Sequence, residues 1–271
     1  MPFETSPPRP GHLRLTCCYD APTGVPVRGA FYGAAMREHV FNSAAWAPHL
    51  DYAAVETGDA ERETEVDWLR RLDDLAVAWV LDRARIDGTH PVLRVPSDAG
   101  HYTNDHHPLS AFAKKATIVT NRGHSGVVRG ATLVPHGYAK EIAGAMACAD
   151  GSSILVTEHP MFPLHGWAMA LGALNLRTMR KTPDTRTPEQ RDLLQSLLSQ
   201  LYGGWSHVSG KRAASHYLPV LADAGMTWAT FVGSVLAANP SHCNTDAIAE
   251  HAPPQWREEL TVRDRRIQHI H

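Results

Sequence analysis

The densest run of side chains able to do chemistry is Ser97-Asp98-Ala99-Gly100-His101-Tyr102-Thr103-Asn104-Asp105-His106-His107-Pro108. It mixes carboxylates and imidazoles at short spacing, the donor types that zinc and manganese accept. The run follows the apolar segment Pro91–Val95. In a parallel α/β sheet, a loop leaving the carboxyl end of a strand is where ligands bind. His101, Asp105, His106 and His107 are therefore expected to hold a divalent metal, zinc or manganese. The plainer alternative is a solvated loop in which Asp and Asn make turns and cap the next helix. A second group, Thr157-Glu158-His159-Pro160 with His165 and Trp167, leaves the apolar run Ser152–Thr157, and His136 follows a third run, Ala131–Pro135. If these runs are parallel strands, all three groups share one edge. The expected chemistry is metal-assisted hydrolysis of a phosphoester or nucleotide-like small molecule. The ion lowers the pKa of a bound water, Glu158 is the base that positions it, and His159 is the second catalytic group.

The triplet Asp105-His106-His107 resembles the signature of the DHH phosphoesterases. That family also carries an Asp-x-Asp motif after an N-terminal strand, which this chain lacks; Asp73-Asp74 falls within a helical pattern. The family is not assigned on three residues. No Gly-x-x-x-x-Gly-Lys-Ser/Thr or Gly-x-Gly-x-x-Gly follows a strand, and no Gly-x-Ser-x-Gly elbow occurs. Arg122-Gly123-His124-Ser125-Gly126 offers at most an arginine and turn amides to an anion.

An alternative from another class is a non-catalytic accessory protein that docks on nucleic acid. Val208-Ser209-Gly210-Lys211-Arg212 loosely resembles the hairpin of helix-hairpin-helix modules, although Ser209 stands where that motif has an apolar residue. Lys211 and Arg212 would be the phosphate contacts, joined by Arg177, Arg180, Lys181 and Arg186, and by Arg263, Arg265 and Arg266. Trp205, Trp228 and Trp256 fit a packed interior better than a stacking platform.

The elements that must position these groups are legible from periodicity. Strands are expected near Val92, Ile118, Leu133 and Ile154, each a short Val/Ile/Leu run suited to burial on both faces of a parallel sheet. A long helix is expected from Thr64, as a capping residue, to Asp87-Gly88, with Val66, Leu69, Leu72, Ala76, Val80 and Ala84 on its apolar stripe. Further helices are expected over Tyr138–Ala149 and Pro163–Leu171. The fold class is α/β, a mainly parallel Rossmann-like sheet with a C-terminal all-α subdomain. Its divisions are 1–87 (N-terminal strand near Leu13 plus the long helix), 88–178 (the sheet unit) and 187–262 (the helical part). That last part opens on Thr187-Pro188-Glu189-Gln190, a cap, a first-position proline and a capping-box glutamine. The segment Val27–Asp59 shows no clear period, beyond a short helix around residues 34–40.

The 271 residues are 43% hydrophobic and 20% charged, with a formal charge of −2. That balance excludes disorder and a globally basic nucleic-acid coat. No apolar run reaches the roughly 18 residues of a membrane span. Cys17, Cys18, Cys148 and Cys243 have neither zinc-knuckle nor disulfide-framework spacing and are expected as free, mostly buried thiols in a cytoplasmic chain. Seventeen histidines are the unusual feature of the composition.

Overall fold

The computed structural model describes residues 40–49, 62–96, 98–121, 128–159, 162, 164–201, 203–240, 243–257 and 259–260, all within one compact unit spanning Ala34–His271. The strand expected near Leu13, the Arg122–Gly126 loop, Cys17, Cys18 and the C-terminal arginines lie outside them, as does the short helix around residues 34–40 except Val40.

Seven strands form one sheet: β1 (Ser43–Ala47), β2 (Val92–Val95), β3 (Thr117–Thr120), β4 (Thr132–Val134), β5 (Ser153–Thr157), β6 (Leu174–Asn175) and β7 (Arg180–Lys181). Their spatial order is β3-β2-β4-β5-β1-β6-β7. Every pairing is parallel except β6 with β7. The four strands expected from the Val/Ile/Leu runs are present, and they stand side by side as β3, β2, β4 and β5. All five residues of β5 are buried, as a strand covered on both faces requires.

Helix α1 (Arg62–Asp87) covers one face. It starts two residues before Thr64, so that threonine lies inside the helix and does not cap it. Leu72, Ala76, Val80 and Ala84 of α1 pack with Leu93, Val95, Leu133 and Leu155 of the sheet. Gly88, at φ +64°, ends the helix in the left-handed conformation that glycine adopts without steric cost. The short helices α2 (Ala99–Thr103) and α3 (Ser110–Ala113) join β2 to β3, and Leu109 and Phe112 pack on the α1 side.

The other face is covered by α4 (Ala139–Cys148) and α5 (His165–Leu171). Ile142, Met146 and Trp167 meet Trp46, Val134, Ile154 and Val156 there. Ile154 and Val156 thus point to one side of β5 and Leu155 to the other, the alternation of a pleated strand. After β7 come α6 (Pro188–Ser199), α7 (Val208–Asp223), α8 (Trp228–Ala238) and α9 (Thr245–Ala249). Thr187 caps α6 with the expected reciprocal bond to Gln190. Leu194, Leu197, Leu218, Phe231, Trp205, Trp228 and Trp256 belong to the same buried cluster as α4 and α5, so the tryptophans are core.

Helices α5 and α8 cross at Gly166 and Gly233. A Cβ on Gly233 would lie 2.3 Å from the Trp167 backbone nitrogen, and one on Gly166 would lie 2.6 Å from the Thr230 carbonyl oxygen. Neither neighbour is a side chain that can move aside. Gly233→Ala is therefore expected to cost about 1–3 kcal/mol by forcing the helices apart. A fall in the urea midpoint at unchanged m-value checks this; an unchanged midpoint contradicts the close crossing.

Candidate functional site

The carboxyl ends of β4, β5 and β1 lie level, with Val134 opposite Val156 and Ala47 opposite Thr157. His136, Glu158, His159 and His49 follow those ends directly. The next strand beyond β4 is β2, whose chain leaves toward β3 while that of β4 leaves toward β5. Such a reversal of strand order is the place where open α/β sheets bind ligands.

His136 stands at the centre. Its φ of +48° is a left-handed conformation that a non-glycine residue adopts at a steric cost. The turn is tight: a Cβ on Gly137 would lie 2.5 Å from Val134 Cγ1, and α4 begins two residues on. The His136 backbone nitrogen donates to Thr157 Oγ1 at 2.7 Å. Its Nδ1 lies 3.1 Å from the Glu158 carbonyl oxygen. A carbonyl can only accept, so Nδ1 carries the proton, and in the neutral ring Nε2 keeps its lone pair for a proton or an electrophile.

Three groups are within electrostatic reach of it. Asp73, on the apolar side of α1, has a buried Oδ1 with no hydrogen-bond partner among the described residues. Burial lifts its carboxyl above the ordinary aspartate range, against the opposing pull of His136 and then His107. His107 arrives from the β2–β3 connection, its ring 4.7 Å from those of His101 and Tyr102. Burial, then His101 and His136, hold it below the ordinary histidine range, while Asp73 pulls the other way. His159 is held low by burial and by the charges of His136 and His49. Its Nε2 lies 3.2 Å from the Tyr138 hydroxyl, with the two rings 4.4 Å apart. His107 and His159, from the two expected clusters, thus both sense His136.

The remaining expected residues are placed differently. Asp105 is 80% exposed and ion-paired to Lys114 at 2.6 Å, which holds its carboxyl below the usual range. His106 is exposed, and its backbone nitrogen donates to Asn104 Oδ1. Asp98 caps α2 by accepting from Gly100 N. Around Asp98, Asn104 and Asp105 the loop is thus the solvated, turn-making kind. Among the described residues no three His, Cys, Asp or Glu side chains are arranged to hold a metal.

Glu158, expected as the base, is 1% exposed. Its Oε2 accepts from His49 N at 2.9 Å and its Oε1 from Leu164 N at 2.7 Å. Those bonds commit both oxygens to the backbone and withdraw the carboxylate from the open edge. Trp167 is core, and His165 leans on Trp46. The Cys148 and Cys243 thiols are free and buried, the latter pushed up to about 12 by burial, which leaves neither a ready nucleophile. Of the cations expected to grip nucleic acid, Lys211 and Arg212 are exposed on the first turn of α7. Arg186 makes a two-pronged pair with Asp184, and Arg177 lies over the Trp68 ring. The chain matches no protein-family model, no curated protein and no solved structure.

Sequence reasoning passed over His49 and Tyr138, and set Asp73 aside as part of a helical pattern. The signal for Asp73 was present: it stands four residues after Leu69 and three before Ala76, a carboxylate in the apolar stripe of α1.

Two outcomes follow. Glu158→Gln turns an amide –NH2 toward a backbone N–H and is expected to cost about 1–3 kcal/mol, measured by chemical denaturation. His107 and His159 are both held low in the folded chain, so it binds fewer protons than the unfolded chain just below the ordinary histidine value of about 6.5. Their contribution to stability is complete above that value and is lost as pH falls through it toward the lowered folded values. Denaturation midpoints from pH 7.5 down to 5 should decline, and less so in His159→Gln.

Proposed function

We propose that the chain is a hydrolase-type enzyme in which His136 acts as general base on a phosphoester or nucleotide-like substrate held at the carboxyl edge of a Rossmann-like sheet. The observation that carries this is the His136 turn: a strained strand-to-helix corner beside a topological switch point, with the imidazole tautomer fixed so that Nε2 is the basic atom. The role first expected of Glu158 passes to His136, and Glu158 becomes the brace that holds the edge.

His136 Nε2 takes a proton from water as the water oxygen bonds to phosphorus; the ester P–O bond breaks, and the imidazolium, its charge countered by Asp73, returns that proton to the leaving oxygen. Tyr138 and His159 supply an O–H and an imidazole for charge developing on the substrate's oxygens. An anionic substrate is supported by the electrostatics. Burial, with neighbouring imidazoles second, disfavours the protonated forms of His107 and His159, so an arriving negative charge is what would restore them. A divalent ion, zinc or manganese, remains the alternative source of the activated water, with His107 as the one member of the expected ligand set that senses His136.

The test is hydrolysis of p-nitrophenyl phosphate and bis-p-nitrophenyl phosphate, with imidazole NMR titrations beside it. His136→Gln should lower kcat by about 10²–10⁴. Asp73→Asn should also lower kcat, yet raise the melting temperature at neutral pH, because it removes a carboxylate whose ionised form is disfavoured in the fold. Orthophosphate should raise the His107 and His159 titration midpoints. Prior treatment with EDTA should leave turnover intact; loss restored by zinc or manganese would install the metal mechanism instead. No turnover together with no phosphate-induced shift would end the proposal.

A further inference from the structure

Tyr138 has two roles in space. Its hydroxyl and ring meet His159 at the carboxyl edge, and it also lines a cleft of about 480 Å³ with Phe162, Cys243 and the Asn244–Asp246 start of α9. Tyr138 is 41% exposed despite its large ring, and the Phe162 ring centroid lies 6.2 Å from its own. The volume is within the range of small-molecule sites. The apolar part, Ala139, Ala143, Phe162, Pro240 and Cys243, suits a flat uncharged group. The polar part suits its edge. Asn244 uses Oδ1 to cap α9 through Ala247 N, which leaves its –NH2 to donate, while the Asp246 carboxylate accepts.

We infer that this cleft is the subsite for a planar heteroaromatic group of nucleobase size, stacked against Tyr138, so that the substrate's phosphoryl end reaches the histidines at the carboxyl edge. The inference rests on the proposed hydrolase in one respect only: the assignment of the neighbouring edge as the place for the phosphoryl group. An exposed aromatic ring beside an apolar floor is what a base can stack on whatever its sequence, and the donor and acceptor at the α9 end match the edge of a base. Because Tyr138 touches both the cleft and His159, a group bound in the cleft adjoins the imidazole cluster without any rearrangement of the sheet.

The full chain is titrated calorimetrically with adenosine, adenosine 5′-monophosphate and ribose 5-phosphate. Adenosine should bind with a Kd below about 10 mM, and the monophosphate more tightly than either fragment. Tyr138→Leu, which keeps apolar bulk but removes the ring, should weaken adenosine at least about tenfold. Ala143→Phe, which fills the cleft from α4, should do the same, and circular dichroism identifies any variant that has not folded. The inference is overturned if adenosine does not bind the wild-type chain, or if both folded variants bind it as the wild type does. Ribose 5-phosphate separates the two claims. Failure of that ligand to bind, with adenosine still dependent on Tyr138, removes the hydrolase assignment of the edge and leaves the base subsite standing; binding of ribose 5-phosphate without adenosine does the reverse.

Discussion

The carboxylate of Glu158 is the interaction on which the rest of the edge depends. It is almost wholly removed from solvent, and its two oxygens hold the backbone nitrogens of His49 and Leu164. In one group, the end of β1, the end of β5 and the approach to α5 are fastened together. A buried carboxylate is stable only when its hydrogen-bonding capacity is filled, and backbone amides fill it without spending a second charge. The Glu158 main chain does further work, since its carbonyl accepts from the His136 ring. The orientation of the proposed base is therefore inherited from the segment that Glu158 pins.

The long helix α1 is fastened at both ends of the same sheet. At its start the Trp68 indole donates to the Pro48 carbonyl. At its end Asp87 accepts from Asn42 and Ser152. Between these anchors the helix cannot rotate to carry Asp73 out to water, although the carboxyl is disfavoured where it stands. A strained histidine and an uncomfortable aspartate at one edge are the kinds of local cost that a fold tolerates where chemistry is done.

Much of this was legible in the residues. Segments such as Val92–Val95 and Ile154–Val156 announce buried strands by their branched side chains, and Thr187-Pro188-Glu189-Gln190 states its helix start outright. The placing of His136, Glu158 and His159 on a shared edge followed from strand ends alone. β1 was not legible, because Ser43-Ala44-Ala45-Trp46-Ala47 surrounds its single tryptophan with small residues of low strand propensity. Its strand state comes from the neighbours β5 and β6, a tertiary effect that no local window carries. Asp105 and His106 are residues of metal-ligating type lying close together in sequence, and the turn they form faces solvent and Lys114. Asp73 and His107 are far apart in the chain and come within electrostatic reach only through topology.

β7 ends the sheet at one side with just two residues, Arg180 and Lys181, both exposed. Beyond it no further strand pairs among the described residues. An open strand edge is a template for another chain, and a very short one carrying two positive charges is a poor template. The cost of presenting these cations is small in water, yet two copies approaching edge to edge would bring like charges together before any ladder could form. The same pair thus guards a sheet rich in valine, isoleucine and leucine against self-association, a duty that concerns concentration and solubility.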